Sequence, residues 1–419
     1  MQLLTQHRRL ALDLIRRLEG RLGEMIRRRE GRLVVTLVVL SLVAAAGCSQ
    51  PPRPTPEASP PASPSTPAIP SAPVPSAAGG LRLGISYGGR LPALSAAAVD
   101  GALDDALALG VGWVRLDMAW DAIQPDSPGA FDWSTFDAIA AAVNQRHMGL
   151  LPVLQYTPVW ARAAACPSTD HCMPANPDRF AAFAAAAVRR YAPLGVHAWE
   201  IWNEPNTSGA WQPAPNPVAY AALVKATSQA IKAADASAMV ISGGLAPSAT
   251  SAGDLSQLDF LTGFAQAGGL SAVDAVGYHP YSYPAPPRYY ADWSGWSQIS
   301  ATPRSMKATL KSFGFPDMKI WATEYGAPTN GPGPGATVGN YLIGENPDHV
   351  DEALQAQMAT QSVQLAKSSP VIAALFWYTQ TDAGVSPNDR ENFFGLRRAD
   401  GSAKPAYAAL QKAIAAAKR

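Results

Sequence analysis

The chain has 419 residues, with 33 Lys+Arg against 32 Asp+Glu, and 16% of it is charged. That length permits one large domain or two to three ordinary ones, and a hydrophobic fraction of 47% excludes wholesale disorder. The net charge of +1 conceals an asymmetry: residues 1–47 hold nine Arg and four acids, residues 48–80 hold Arg53 and Glu57, and residues 81–419 hold 23 bases and 27 acids. A mildly acidic folded part argues against a nucleic-acid-binding surface. Three Cys exclude both a disulfide scaffold and a Cys-rich zinc site.

Arg27, Arg28, Arg29 and Arg32 precede an apolar run from Leu33 to Ala46. The run is about 14 residues long, against roughly 20 for a membrane-spanning helix. A basic flank, a short apolar core and small residues after it describe an export signal. The run ends Ala44-Ala45-Ala46-Gly47-Cys48, which resembles a bacterial lipobox, whose Cys receives a lipid and becomes the new N-terminus. It departs from that pattern at Ala45, where Leu is usual. Residues 1–47 are therefore expected to be a lipoprotein-type signal, with Cys48 lipidated and the protein anchored on the extracytoplasmic face of the membrane. The alternative is an ordinary signal cut at the Ala-x-Ala site, which would release a secreted protein. Met25 is a second candidate start. Residues 48–80 are rich in Pro, Ser, Ala and Thr, with eleven prolines between Pro51 and Pro75. Such a stretch buries no core and is expected to be an extended tether. Cys166 and Cys172 lie six apart, and in an exported protein they are expected to pair.

From residue 81 onward, strand-like and helical patterns alternate. Leu81–Tyr87 precedes a helix over Ser95–Leu109, Val111–Met118 one over Trp133–Arg146, and Leu150–Tyr156 one over Pro177–Tyr191. His197–Trp202 leads into Pro217–Ala234, Ala238–Gly243 into Leu258–Ala267, and Ala275–Tyr278 into Pro303–Phe313. Lys319–Thr323 precedes Val350–Ala366, and Ile372–Tyr378 precedes Pro405–Ala416. The strands are short and rich in Val, Ile and Leu, as strands buried on both faces are. Eight strand–helix pairs over residues 81–419 predict an α/β fold, a (β/α)8 TIM barrel with enlarged loops. A doubly wound sheet is the alternative, although no Gly-rich phosphate loop follows the first strand.

In such barrels the active site lies at the C-terminal ends of the strands. Strand four ends Trp202-Asn203-Glu204-Pro205-Asn206 and strand seven ends Thr323-Glu324-Tyr325-Gly326. Strand six ends His279-Pro280-Tyr281, strand eight carries Trp377, and strand two carries Arg115 with Asp117 beyond it. Carboxylates at the mouths of strands four and seven face each other, the pair that glycoside cleavage needs. Glu200, one turn of pleat deeper, reads as a structural partner of Arg115. Asp117 reads equally as a salt-bridge partner or a ligand. Asp382 and Asp389 read as hydroxyl ligands or turn caps. Trp160 is a sugar platform or a loop-packing residue. Trp211, Trp293, Trp296, Tyr289 and Tyr290 form either a carbohydrate groove or loop cores. No HExxH or CxxC spacing and no nucleotide loop is present, so no metal and no cofactor are expected.

These motifs resemble the retaining glycoside hydrolases of clan A. The Ile-Trp-Asn-Glu-Pro-Asn form is most like family 39, and the His-x-Tyr pair is more like family 5. The resemblance covers residues 81–419. It implies Glu204 as general acid/base, Glu324 as nucleophile, and Asn203 on the sugar 2-hydroxyl. It implies Arg115 and Tyr281 against Glu324, keeping it ionised, with His279 and Trp377 lining the glycone subsite. Acid and nucleophile need different environments, and apolar Trp202 and Pro205 flank Glu204 in sequence. The expected partner is an oligo- or polysaccharide, with no nucleic acid, and the expected state a monomer. An inverting mechanism is the alternative chemistry, and a non-catalytic carbohydrate-binding protein of the cell envelope is the alternative function.

Overall fold

The computed structural model describes residues 80–166, 168–341 and 347–419. The residues expected to form an export signal, Cys48 and the expected tether up to residue 79 lie outside the described residues. Eight parallel strands close into a barrel: β1 (Arg82–Gly88), β2 (Trp113–Ala119), β3 (Gly149–Gln155), β4 (Ala198–Ile201), β5 (Met239–Ser242), β6 (Ala275–Tyr278), β7 (Lys319–Tyr325) and β8 (Ile372–Tyr378). Each pairs with its sequence neighbour, and β8 returns to β1. Closure leaves no sheet edge, which rules out the doubly wound alternative.

The helices between the strands are α1 (Ala96–Leu109), α2 (Ser134–Gln145), α3 (Pro177–Tyr191), α4 (Pro217–Ala234), α5 (Gln257–Gln266), α6 (Met306–Ser312), α7 (Glu352–Ser368) and α8 (Pro405–Ala417). Their starts are chemically explicit. Ser95, Asn176, Asn216, Ser256, Ser305 and Asp351 each accept a backbone N–H of the first turn. Such a cap contributes about 1 kcal/mol. Pro at the first position of α3, α4 and α8 has its ring angle already set for a helix.

Strand alternation divides the core into two layers. Leu151, Ala198, Ile241, Ala275, Trp321, Ala374 and Phe376 fill the barrel interior. Val114, Leu116, Leu150, Val240, Val276, Ile320 and Leu375 pack outward against the helices. The same alternation carries Arg115 and Asp117 on β2 into the mouth, on the face of inward-packed Trp113. At β7 the register shifts. Leu375 pairs with Ala322, whereas Trp377 pairs with Tyr325, so two steps on β8 meet three on β7. This bulge lets Thr323 and Glu324 both turn toward the mouth, where simple alternation would send Glu324 outward.

Candidate active site

Arg115 is the hub. It is 1% exposed. Its Nε donates to Glu200 Oε2 at 2.7 Å and its Nη2 to Glu200 Oε1 at 3.2 Å, a two-pronged pair. The same Nη2 donates to Asn203 Oδ1 at 2.8 Å, and Nη1 donates to Glu324 Oε1 at 2.5 Å and Ser86 Oγ at 3.0 Å. Glu200 also accepts the Gly244 N–H at 2.9 Å and the Thr323 hydroxyl at 3.1 Å. Glu200 is fully buried and both its oxygens accept donors from the protein, so it is the structural counter-ion of Arg115. Burial disfavours the Arg115 charge, but Glu200 and Glu324 outweigh it and hold the guanidinium protonated.

Glu324 receives donors on both oxygens. Tyr281 Oη donates to Oε2 at 2.9 Å, opposite the Arg115 contact on Oε1. Burial alone would push its carboxyl up. The His279 ring, the Arg115 guanidinium and the two donated hydrogen bonds reverse this and hold it below its ordinary value. Burial and the Glu324 charge push the Tyr281 phenol well up, so it remains a donor.

Glu204 reaches the site by a strained route. Trp202 and Glu204 have φ of 70° and 47°, in the left-handed region that bulky residues avoid. Several contacts hold them there. Trp202 is 1% exposed, its Nε1 donates to Ala210 O at 2.7 Å, and its ring meets Trp211 at 5.2 Å. The Glu204 N–H donates to Gly244 O at 3.0 Å. The Asn206 amide donates to Ala246 O and Leu255 O and accepts the Ala246 N–H, stapling this loop to the one after β5. Trp202 therefore packs away from the carboxyl rather than flanking it. What lies beside Glu204 is His279, whose Nδ1 is 2.9 Å from Glu204 Oε1 and 3.8 Å from Glu324 Oε2. The His279 ring lies over Gly244, where any Cβ would overlap it.

One oxygen each of Glu204 and Glu324 and a ring nitrogen of His279 all lie within 4.8 Å of one another. Three such atoms could approach a cation, but Arg115 already occupies Glu324 Oε1 and Tyr281 its Oε2. A cavity of about 470 Å³ opens over the pair, lined among others by Asp117, Tyr156, Asn203, Tyr281, Tyr378 and Glu391.

The structure brings Arg115, Asn203, Glu204, His279, Tyr281 and Glu324 together, and removes two expected residues. Trp377 is 2% exposed and packs edge-on against Tyr325 at 5.8 Å, in the outer layer. With Ala374 and Phe376 facing inward, alternation aims Tyr378 at the cavity, and Tyr378 lines it. Trp160 packs against Trp120 at 5.5 Å under the Arg179 guanidinium, with Nε1 donating to Gln124 O at 3.0 Å. Its expected place is filled by Tyr156, at the end of β3 with φ of 64°. Trp211 and Trp296 are loop cores, at 1% and 6% exposure, while Tyr290 and Trp293 are exposed. Asp382 pairs with Lys404 at 2.7 Å, and Asp389 caps a helical turn, so both are structural. Tyr156, Tyr378 and Glu391 were not singled out by sequence as cavity residues. Alternation along β8 would have found Tyr378, whereas Glu391 sits in the short helical turn Arg390–Phe393 of a connecting segment, where no such rule applies. Cys166 and Cys172 form a disulfide in the segment between β3 and α3.

The cellulase (glycosyl hydrolase family 5) profile matches residues 98–359, which include Arg115, Glu204, His279 and Glu324. Comparison with the curated protein sequences gives no match. Among solved structures, the chain is similar to a family 39 glycoside hydrolase from the gut symbiont Bacteroides cellulosilyticus WH2, at 22% identity and a TM-score of 0.61, over 80% of this chain and 63% of that one. It is similar to GH5_18 from Streptomyces cattleya, at 17% identity and 0.59, over 81% and 80%. It is similar to a GH39 β-xylosidase from Caulobacter crescentus, at 20% identity and 0.53, over 80% and 71%. The chain thus spans under two thirds of the length of the Bacteroides structure. At these identities the likenesses concern the fold, while the family profile spans well over half of the chain, and the chain belongs to the cellulase family, glycosyl hydrolase family 5, of clan A.

Proposed function

We propose that this protein hydrolyses O-glycosidic bonds of an oligo- or polysaccharide by a retaining double displacement. The observation that carries the reading is the approach of Glu204 and Glu324 oxygens to within 4.8 Å. Retaining pairs stand about 5–5.5 Å apart, whereas inverting pairs need about 6.5–9.5 Å to admit a water. Glu324, bound by Arg115 and Tyr281 and held anionic, is suited to attack the anomeric carbon. The Glu204 side chain is 28% exposed against 12% for Glu324, so it can exchange protons with water. In the first step Glu204 protonates the departing oxygen as Glu324 forms a glycosyl ester. In the second Glu204 takes a proton from a water that attacks the same carbon, and the ester bond to Glu324 breaks. Asn203, positioned by Arg115, is suited to the 2-hydroxyl, where hydrogen bonds strengthen in the transition state. The test is hydrolysis of aryl glycosides and a polysaccharide panel. Glu324→Ala should be at least about a thousandfold slower. Proton NMR of the first-formed product should show the substrate's anomeric configuration, and an inverted product sinks the retaining reading.

We also propose that the enzyme works outside the cytoplasmic membrane, tethered through lipidated Cys48. The basic flank, short apolar run and Pro-rich stretch of residues 27–79 support this. So does the Cys166–Cys172 disulfide, since such bonds persist in oxidising compartments. Among the described residues no helix is long and apolar enough to cross a membrane. Labelled palmitate should enter the wild-type protein and not Cys48→Ser. Equal labelling of both would overturn the assignment.

A further inference from the structure

We propose that a second cavity, separated from the one over Glu204 and Glu324 by the ends of β1 and β8, binds an amphipathic carboxylate. The ligand's apolar chain would lie along α1, and Arg90 would meet its charge. The inference does not rest on the glycosidase reading and concerns a site which that reading leaves unused.

This second cavity measures about 690 Å³, against about 470 Å³ for the first, and small-molecule sites span roughly 300–1,000 Å³. Neighbours in sequence divide between the two. Gly88, Gly89 and Tyr378 line the first cavity, whereas Tyr87, Arg90 and Thr379 line the second. Leu91, Leu94, Ala98, Gly101 and Ala102 give the second cavity an apolar side. The last three recur at the spacing that sets them on one face of α1. That face is hollow, because a Cβ at Gly101 would meet no atom within 4 Å. Leu94 is 45% exposed. A hydrocarbon chain in the hollow would take this apolar surface out of water.

The sign of the ligand follows from the charges. Arg90, Asp105, Asp382 and Arg397 line the cavity. Arg397 holds Asp105 with two prongs, Nε to Oδ2 at 2.8 Å and Nη2 to Oδ1 at 2.5 Å, and Gln380 and Tyr407 also donate to Asp105. Asp382 pairs with Lys404 at 2.7 Å. Arg90 is the charge left over, since it pairs with no acid among the described residues. Its Nη1 donates to Thr381 O at 3.4 Å, and its Nη2 to Tyr378 Oη at 3.3 Å and Glu391 O at 3.1 Å. Its guanidinium also stands 5.5 Å from the centre of the Tyr378 ring. All three acceptors are neutral, and the contacts are long for hydrogen bonds. A carboxylate makes a shorter and stronger pair with a guanidinium. The acids just outside the cavity are engaged elsewhere. Asp100 pairs with Arg146 at 3.0 Å and Glu352 with Arg398 at 2.6 Å, while Asp400 accepts the Ser402 N–H at 2.8 Å. The Glu391 carboxylate lies 3.9 Å from Arg390 and lines the other cavity. An anion with an apolar chain therefore matches both the surface and the surplus charge, whereas a cation would meet Arg90 as a like charge.

The test is calorimetric titration of the full chain with octanoate and 4-phenylbutyrate, one alkyl and one aryl. Octyltrimethylammonium, 1-octanol and acetate are the controls for sign, charge and chain. At least one of the two carboxylates should bind with a Kd on the order of 1 mM or tighter. It should bind at least about tenfold more tightly than each control. Arg90→Gln should remove the preference for octanoate over 1-octanol, or for 4-phenylbutyrate over the matching 4-phenylbutanol. Gly101→Leu places a side chain in the hollow from a helix position that favours Leu over Gly. It should abolish carboxylate binding without lowering the melting temperature. Ala98→Leu, on the same face, is the second filling variant should Gly101→Leu fail to fold. The readout is binding alone, so a chain that hydrolyses no glycoside still decides the proposal. Binding of neither carboxylate, equal binding of the alcohol, tighter binding of the ammonium, or carboxylate binding that survives both Arg90→Gln and the filling variant each overturns it.

Discussion

Tyr281 and Arg115 divide the two oxygens of Glu324 between them, and that division sets a measurable quantity. Each donated hydrogen bond favours the anion, against a burial that disfavours it. Tyr281→Phe keeps the ring, which meets Phe394 at 5.9 Å, and deletes only the donor. Removing a donor from an anion raises its pKa, so the acidic limb of kcat/KM should move to higher pH. About one pH unit is expected, because about 1.4 kcal/mol corresponds to one unit and a hydrogen bond to a charge is worth about that. A pH–rate profile of the two proteins checks it, and an unmoved acidic limb would show that Glu324 does not set that limb. At this scale the sequence was legible where a polar residue stood within or just beyond an otherwise apolar strand, as with Arg115 inside β2 and with His279 and Glu324 at the ends of β6 and β7. It misled where two aromatics were adjacent. Trp377 and Tyr378 differ by one residue, and one residue is the difference between the two faces of a strand.

Elements deliver these side chains by departing from regular geometry. The β7 bulge turns Glu324 inward, and left-handed Trp202 and Glu204 end β4 abruptly. No hydrophobic pattern encodes such irregularities, which is why strand positions were legible and the last residue of each was not. Gly244 belongs to the same apparatus: its N–H holds Glu200, its carbonyl holds Glu204, and its bare Cα lies under His279. Gly244→Ala should displace the imidazole and cost about 1–3 kcal/mol of stability. It should reduce kcat more than tenfold, read by steady-state kinetics beside urea unfolding at a temperature where both proteins are folded. The disulfide loop is a second device. Thr157 N donates to Asp170 O at 2.7 Å, and Tyr156 stacks on His171, so residues between Cys166 and Cys172 support the end of β3. Closing so short a loop is worth about 2 kcal/mol by chain entropy. Replacing both Cys by Ser should lower the urea midpoint accordingly and raise KM through Tyr156. An unchanged KM would separate the loop from the site.

Across the whole molecule, a buried cluster of acids is a cost that the fold must offset. Asp117, Glu200 and Glu324 share the field of Arg115 in the mouth of one barrel. Glu200 and Glu324 take its hydrogen bonds, and Asp117 is left with one from Tyr156. Its carboxyl, up at about 6 in the folded protein, stands near 3.9 in an unfolded chain. The folded state therefore binds this proton more tightly than the unfolded state does. The sign follows: Asp117 costs nothing below about pH 4, and its penalty grows as pH rises toward 6 and is then complete. Two units of difference bound the penalty at about 3 kcal/mol, an upper limit for a side chain at a cavity wall. Asp117→Asn, which keeps the shape and cannot ionise, should raise the unfolding free energy at pH 7 by about 1–3 kcal/mol. The gain should fade to near zero at pH 4. Urea unfolding at pH 4, 5.5 and 7 measures this directly. If Asp117→Asn instead destabilised the protein equally at all three pH values, Asp117 would be a packing residue, and its place at the cavity would carry no chemistry.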